Sequence, residues 1–163
     1  MPHGRMKDRV SPHSRKLSLP LPSLEPPQKL KVAIFEDADI ILDLYKDRFG
    51  KMEGISLVNS QVISTVAEAL SIFVHEKPDL SISDLSLTDG HTEGFSILRA
   101  IKKCSPGSLV ALSTSIYSPN NHDDLTEHIR MARFDAVFHK VDLDNMAAYL
   151  MKVRDARNGD GFP

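Results

Sequence analysis

The spacing of apolar residues changes period repeatedly along the chain, and each change marks an expected element. Leu30–Phe35 is a short apolar run that stops at the acids Glu36 and Asp37, the pattern of a buried strand. Ile40, Ile41, Leu44, Tyr45 and Phe49 then recur at one-face helical spacing, with Gly50 offering a left-handed stop. Ile55–Ile63 predicts a second strand. Thr65 and Glu68 form a capping box for a helix carrying Val66, Leu70, Phe73 and Val74, closed before Pro78. A third strand, Leu80–Ser83, runs into Asp84 and a turn-rich loop with Asp89, Gly90 and Gly94, followed by a helix bearing Phe95, Leu98 and Ile101 that Pro106 and Gly107 terminate. Leu109–Leu112 is a fourth strand, Ser113–Asp123 a polar loop, Leu125, Ile129 and Ala132 mark a helix, and Ala136–Phe138 is a fifth strand. Asp142 or Asp144 caps a last helix whose buried stripe is Leu143, Met146, Ala147, Leu150 and Met151. Alternating strands and helices predict a doubly wound α/β fold, a five-stranded parallel sheet with helices on both faces, because parallel strands need right-handed crossover connections.

Composition narrows the setting. With 163 residues, 41% of them hydrophobic and 26% charged, the chain has room for one domain with a real core. No apolar run approaches the roughly 18 to 20 residues of a membrane span, and the N-terminus lacks the apolar stretch of a secretory signal, so membrane insertion and export are not expected. Cys104 is the only cysteine, which excludes an intramolecular disulfide and a cysteine-based zinc site and fits a reducing, cytoplasmic location. Six of the ten prolines fall within residues 1–27, and the first twenty residues hold Arg5, Lys7, Arg9, Arg15 and Lys16 against the single acid Asp8. Residues 1–28 therefore read as a disordered basic tail, 29–155 as the folded domain and 156–163 as a flexible end. The folded part is mildly acidic and shows no recognition helix or basic face, so direct nucleic acid binding is not expected.

In an open parallel sheet, ligands bind beyond the carboxyl ends of the strands. The residues found there are Glu36 and Asp37 after the first strand, Asp84 after the third, Ser113 and Thr114 after the fourth and Lys140 after the fifth. Three carboxylates brought together repel one another and call for a cation, and hard oxygen ligands without histidine or thiolate suit Mg²⁺. Lys140 and Ser113 supply a charge and a hydroxyl donor to oxygens that gain negative charge in phosphoryl transfer, with Asp84 as the natural acceptor carboxylate.

These residues resemble the receiver domain of two-component response regulators. The resemblance spans roughly residues 29–154 and rests on Val32-Ala33-Ile34-Phe35-Glu36-Asp37, on Pro78-Asp79-Leu80-Ser81-Ile82-Ser83-Asp84-Leu85 with Asp89, Gly90, Gly94 and Phe95 following, on Ser113 after Leu112, and on Lys140 after Phe138-His139. It implies a flavodoxin-like (βα)5 fold, with Asp84 as phosphoacceptor, Ser113 as switch hydroxyl and Lys140 as phosphoryl clamp. It also implies Mg²⁺ held by Glu36, Asp37, Asp84 and the backbone carbonyl of Ser86. The donor would be a histidine kinase or phosphotransfer protein, the output a downstream protein partner, and the protein a monomer or a weak phosphorylation-dependent dimer. Too few residues follow Val153 for an output domain, so a single-domain regulator that acts by binding is expected.

Four positions depart from the family pattern. Thr114 stands where alanine or glycine is usual, Val137 where a switch aromatic is common, and Val141 and Thr88 where proline is frequent. Thr114, Val137 and Val141 sustain an alternative, a receiver-like scaffold that binds partners without phosphorylation. A third reading is a phosphatase of the haloacid dehalogenase type, echoed by Asp84-Leu85-Ser86-Leu87-Thr88; Ser86 there replaces the second aspartate needed as general acid–base.

Overall fold

The computed structural model describes residues 28–87, 92–115, 127, 129 and 131–159. Nine elements follow one another among them: β1 (Leu30–Phe35), α1 (Asp39–Phe49), β2 (Ile55–Leu57), α2 (Val66–Glu76), β3 (Leu80–Asp84), α3 (Glu93–Cys104), β4 (Leu109–Thr114), β5 (Ala136–His139) and α4 (Leu143–Arg157). All neighbouring strands are parallel, in the order β2-β1-β3-β4-β5. The chain order reverses between β1 and β3, which opens a crevice at their carboxyl ends. The expected doubly wound sheet is present. The tail at 1–27, Thr88, Asp89, Gly90 and the loop and helix start at 116–126 lie outside the described residues. Ile129 is nevertheless buried and packs with Ala132 in the core.

Two apolar layers sandwich the sheet, because side chains alternate faces along each strand. Val32 and Ile34 of β1, Leu80 and Ile82 of β3 and Ala111 of β4 meet Leu42, Tyr45 and Phe49 of α1 and Met146, Ala147 and Leu150 of α4. On the other face, Ala33, Phe35, Val110 and Leu112 meet Ala69 of α2 and Phe95, Ile97, Leu98 and Ile101 of α3. The capping box at Thr65 and Glu68 forms in both directions, and Asp142 rather than Asp144 caps α4 by accepting from the Asn145 N–H.

Several local expectations are corrected. The buried face of α1 is Leu42, Tyr45 and Phe49, whereas Ile40 is 79% and Leu44 39% exposed. Gly50 has a right-handed φ of −64°, so it is not the left-handed stop. Val74 and Met151 face outward. The second strand ends at Leu57 instead of Ile63, for a reason visible at Asn59. Its buried side-chain amide accepts from the Ile34 N–H at 2.8 Å and donates to the Ile34 carbonyl, replacing the backbone partner a longer strand would have supplied. The chain then rejoins β1 through the Ile63 N–H and the Glu36 carbonyl, which holds the last residues of β1 above the crevice.

Candidate functional site

The residues singled out stand at the carboxyl ends of the strands, and Glu36, Asp37, Asp84 and Lys140 are brought together there. Glu36 and Asp37 follow β1, Asp84 is the last residue of β3, Ser113 and Thr114 end β4, and Lys140 follows β5. Register fixes their neighbourhood, since Asp84 pairs with Ser113 and Ser113 with Phe138. Glu36, Asp84, Ser113 and Thr114 are all buried. The Lys140 ammonium bridges two of the carboxylates, at 2.8 Å from Asp84 Oδ2 and 2.9 Å from Glu36 Oε1. Asp84 Oδ1 accepts the Leu85 N–H at 2.8 Å, and Glu36 Oε1 also accepts from Ala38 N–H at 3.1 Å. One carboxylate oxygen from each of Glu36, Asp37 and Asp84 lies within 4.8 Å of the others.

The electrostatics follow from placing acids under a partly closed roof. Burial pushes the Glu36 carboxyl up to about 7, against the opposing pull of its Lys140 bond. Burial likewise raises Asp84, with the Lys140 hydrogen bond again opposing. For Lys140, burial pulls downward, but bonds to Asp84 and Glu36 outweigh it and the ammonium is held above its ordinary value. Glu36 Oε2 is buried without a hydrogen-bond partner, and buried carboxylate oxygens are costly to leave so. Three acids against one ammonium, an all-oxygen donor set and that orphaned oxygen fit a hard divalent cation such as Mg²⁺.

A stability consequence can be measured directly. Because the folded-state value of Glu36 is raised, its stabilising contribution is complete below 4.5 and lost as pH rises through about 7. Wild type without divalent cations is expected to lose on the order of 2 kcal/mol over that window, after discounting for solvent that enters the crevice. Glu36→Gln should lack this component of the slope and gain on wild type above neutral pH. Urea midpoints measured across the window in the presence of a chelator decide it; parallel profiles for the two proteins would rule the effect out.

Two contributors were not evident from residue patterns. Tyr45 looked like one more member of an apolar stripe, yet its hydroxyl contacts both Ser113 Oγ, at 2.9 Å, and the Lys140 carbonyl, at 2.7 Å. A tyrosine among aliphatic stripe positions was the available signal, because a buried phenol needs a polar partner. Gly94, a turn residue by sequence pattern, sits in the first turn of α3, pressed against the Asp84 backbone. Cys104 is exposed. Ser86 is half-buried two residues beyond Asp84, and Val141 is exposed beside Lys140.

Comparison with solved structures places the architecture. A CheY-like response regulator receiver domain protein from Methanospirillum hungatei is 24% identical with a TM-score of 0.63, the match covering 82% of this chain and 99% of that one. The signal receiver domain of the response regulator NarL from Mycobacterium tuberculosis gives 14% identity and a TM-score of 0.65 over 80% of this chain and 100% of its own. The response regulator domain of CheB from Thermotoga maritima gives 15% and 0.63, covering 83% and 100%. No protein-family model matches the sequence, and no curated protein aligns with it significantly. The chain therefore has the flavodoxin-like α/β fold with a crevice of acids at its strand ends. More particularly, it has the fold of response-regulator receiver domains. No helix among the described residues is long and apolar enough to cross a membrane.

Proposed function

We propose that this chain is a phosphoacceptor of two-component signalling, with residues 29–155 as the receiver and Asp84 as the acceptor. The observation that carries the proposal is the Lys140 ammonium shared by the Glu36 and Asp84 carboxylates at the crevice between β1 and β3. A surface lysine has no reason to surrender water for a half-buried position there unless anionic groups hold it. Asp84 Oδ2 attacks the phosphorus of a phosphohistidine on a histidine kinase or phosphotransfer protein. The P–N bond breaks, the imidazole nitrogen keeps the electron pair and takes a proton, and an acyl phosphate forms on Asp84. Lys140 follows the charge onto a phosphoryl oxygen while retaining Glu36, and the Leu85 N–H fixes the other carboxylate oxygen. Glu36, Asp37, Asp84 and the Ser86 carbonyl would hold Mg²⁺, which supplies charge neutralisation between the incoming phosphoryl group and the acids. Ser113 donates to the new phosphoryl group, and the resulting shift changes affinity for a downstream protein.

A receiver-like scaffold is the competing reading, favoured by the β-branched Thr114 buried beside Ser113 at the end of β4. Incubation with acetyl phosphate, with and without Mg²⁺, separates the two. Intact mass should show a gain of one phosphoryl group that requires Mg²⁺, and borohydride trapping with peptide mapping should place it on Asp84. An unmodified chain after treatment with both acetyl phosphate and phosphohistidine donors would support the scaffold.

A further inference from the structure

Ser113 pairs with Asp84 and shares its face of the sheet, yet its hydroxyl is engaged by a third residue. Side chains alternate along β4, with Val110 and Leu112 in the layer beneath α2 and α3 and Ala111 in the layer beneath α1 and α4. Ser113 shares the face of Ala111, and the group that meets it is the phenol of Tyr45 from α1. Tyr45 is buried, and its ring stacks on Phe49 at a centroid distance of 5.6 Å, so the hydroxyl is aimed by packing. Its single proton is directed to the Lys140 carbonyl at 2.7 Å. The phenol oxygen is then the acceptor, and Ser113 must be the donor of the 2.9 Å bond. A serine hydroxyl has one proton. While it is given to Tyr45, it cannot also be given to a group on Asp84.

We propose that Tyr45 is a positioning residue that holds the Ser113 hydroxyl in the unphosphorylated state and sets the threshold at which that hydroxyl transfers to a phosphoryl group on Asp84. The proposal rests on the reading of Asp84 as phosphoacceptor. The exchange replaces a neutral acceptor with an anionic one, and hydrogen bonds to charged acceptors are roughly twice as strong, so the phosphoryl group wins but works against the lost bond. Tyr45 also ties the event to the backbone of Lys140 and to α1, because one phenol oxygen is bonded to both partners. Val137 packs in the opposite layer, among the residues beneath α2 and α3, and offers Ser113 no polar group. The movement of Ser113 is thus registered first at α1 and at the residues that follow β5.

The test uses beryllofluoride with Mg²⁺ as the phosphoryl probe, with bound and free probe read by fluorine NMR, on the full chain. Wild type, Tyr45→Phe, Ser113→Ala and the double variant form a cycle. Tyr45→Phe removes the acceptor and keeps the ring, and should tighten probe binding by roughly two- to tenfold, the equivalent of one neutral hydrogen bond. In the Ser113→Ala background the same substitution should change binding by less than about twofold. A purely structural role for Tyr45 would alter both backgrounds equally, and that result, or weaker binding by Tyr45→Phe, overturns the proposal. Amide resonances give a readout without any probe: those of Ser113 and Lys140 should move in Tyr45→Phe while those of β2 stay, and unmoved Ser113 and Lys140 signals overturn it. Failure of every protein, wild type included, to bind the probe or take up phosphate instead removes the phosphoacceptor reading, and the threshold with it.

Discussion

Asp84→Asn is expected to take up no phosphoryl group from acetyl phosphate or a phosphohistidine donor, and to melt at a higher temperature than wild type above neutral pH. Uptake is lost because an amide offers no carboxylate anion to attack phosphorus, and no other described carboxylate combines the Lys140 bond with a backbone N–H on its second oxygen. The gain in stability comes from burial. Burial raises the Asp84 carboxyl, so ionising it works against the folded state, and the Lys140 bond only partly offsets that. A raised carboxyl contributes stability that is complete at low pH and lost as pH increases, so the advantage of the neutral amide should shrink on acidification. Asparagine can keep the Leu85 N–H through its own carbonyl oxygen, and Lys140 keeps Glu36 at 2.9 Å. Thermal melts across pH, with a chelator present, measure the balance. A lower melting temperature for Asp84→Asn above neutral pH would mean that the Lys140–Asp84 bond outweighs desolvation and that the crevice carries no electrostatic strain.

That strain explains why the site was legible in the sequence and much of its scaffolding was not. Acids and a lysine standing at strand ends disobey the local pattern around them, so Glu36, Asp37, Asp84 and Lys140 could be picked out before any contact was known. The sheet was legible because strand runs of three to six mostly apolar or small residues alternate with helices, and the capping box at Thr65 fixes the start of α2 to the residue. Helix faces were harder. In α1, Ile40, Ile41, Leu42, Leu44, Tyr45 and Phe49 supply more apolar positions than one face can bury, and only docking against β1 and α4 selects Leu42, Tyr45 and Phe49. Asn59 and Tyr45 carry no sequence signature of their contacts, for a common reason. Each satisfies a polar partner distant in sequence, Ile34 for Asn59 and Ser113 and Lys140 for Tyr45, and periodicity carries no information about such partners.

Gly94 provides the sharpest test of how the fold supports the site. It occupies the first turn of α3, where its N–H donates to the Leu85 carbonyl at 3.0 Å. A Cβ built there would lie 1.9 Å from the Asp84 carbonyl oxygen, 2.9 Å from its carbon and 3.0 Å from Leu85 Cα. All three are backbone atoms, so no side chain can rotate away, and relief requires α3 to lift from the end of β3. Lifting α3 draws Ile97, Leu98 and Ile101, all fully buried, out of the layer they share with Ala33, Phe35, Val110 and Leu112. Overpacking of this kind costs about 3 kcal/mol where the backbone must move. Gly94→Ala is therefore expected to lower the urea midpoint by that equivalent. Phosphate uptake should also fall in the fraction that remains folded, because the residue displaced is Asp84 itself. Alanine is a better helix former than glycine, so helix propensity alone would stabilise the variant and a loss reports the backbone crowding. Stability of Gly94→Ala within about 1 kcal/mol of wild type would show that α3 can be raised without disturbing the core, and that the close approach to Asp84 does not hold the acceptor in place.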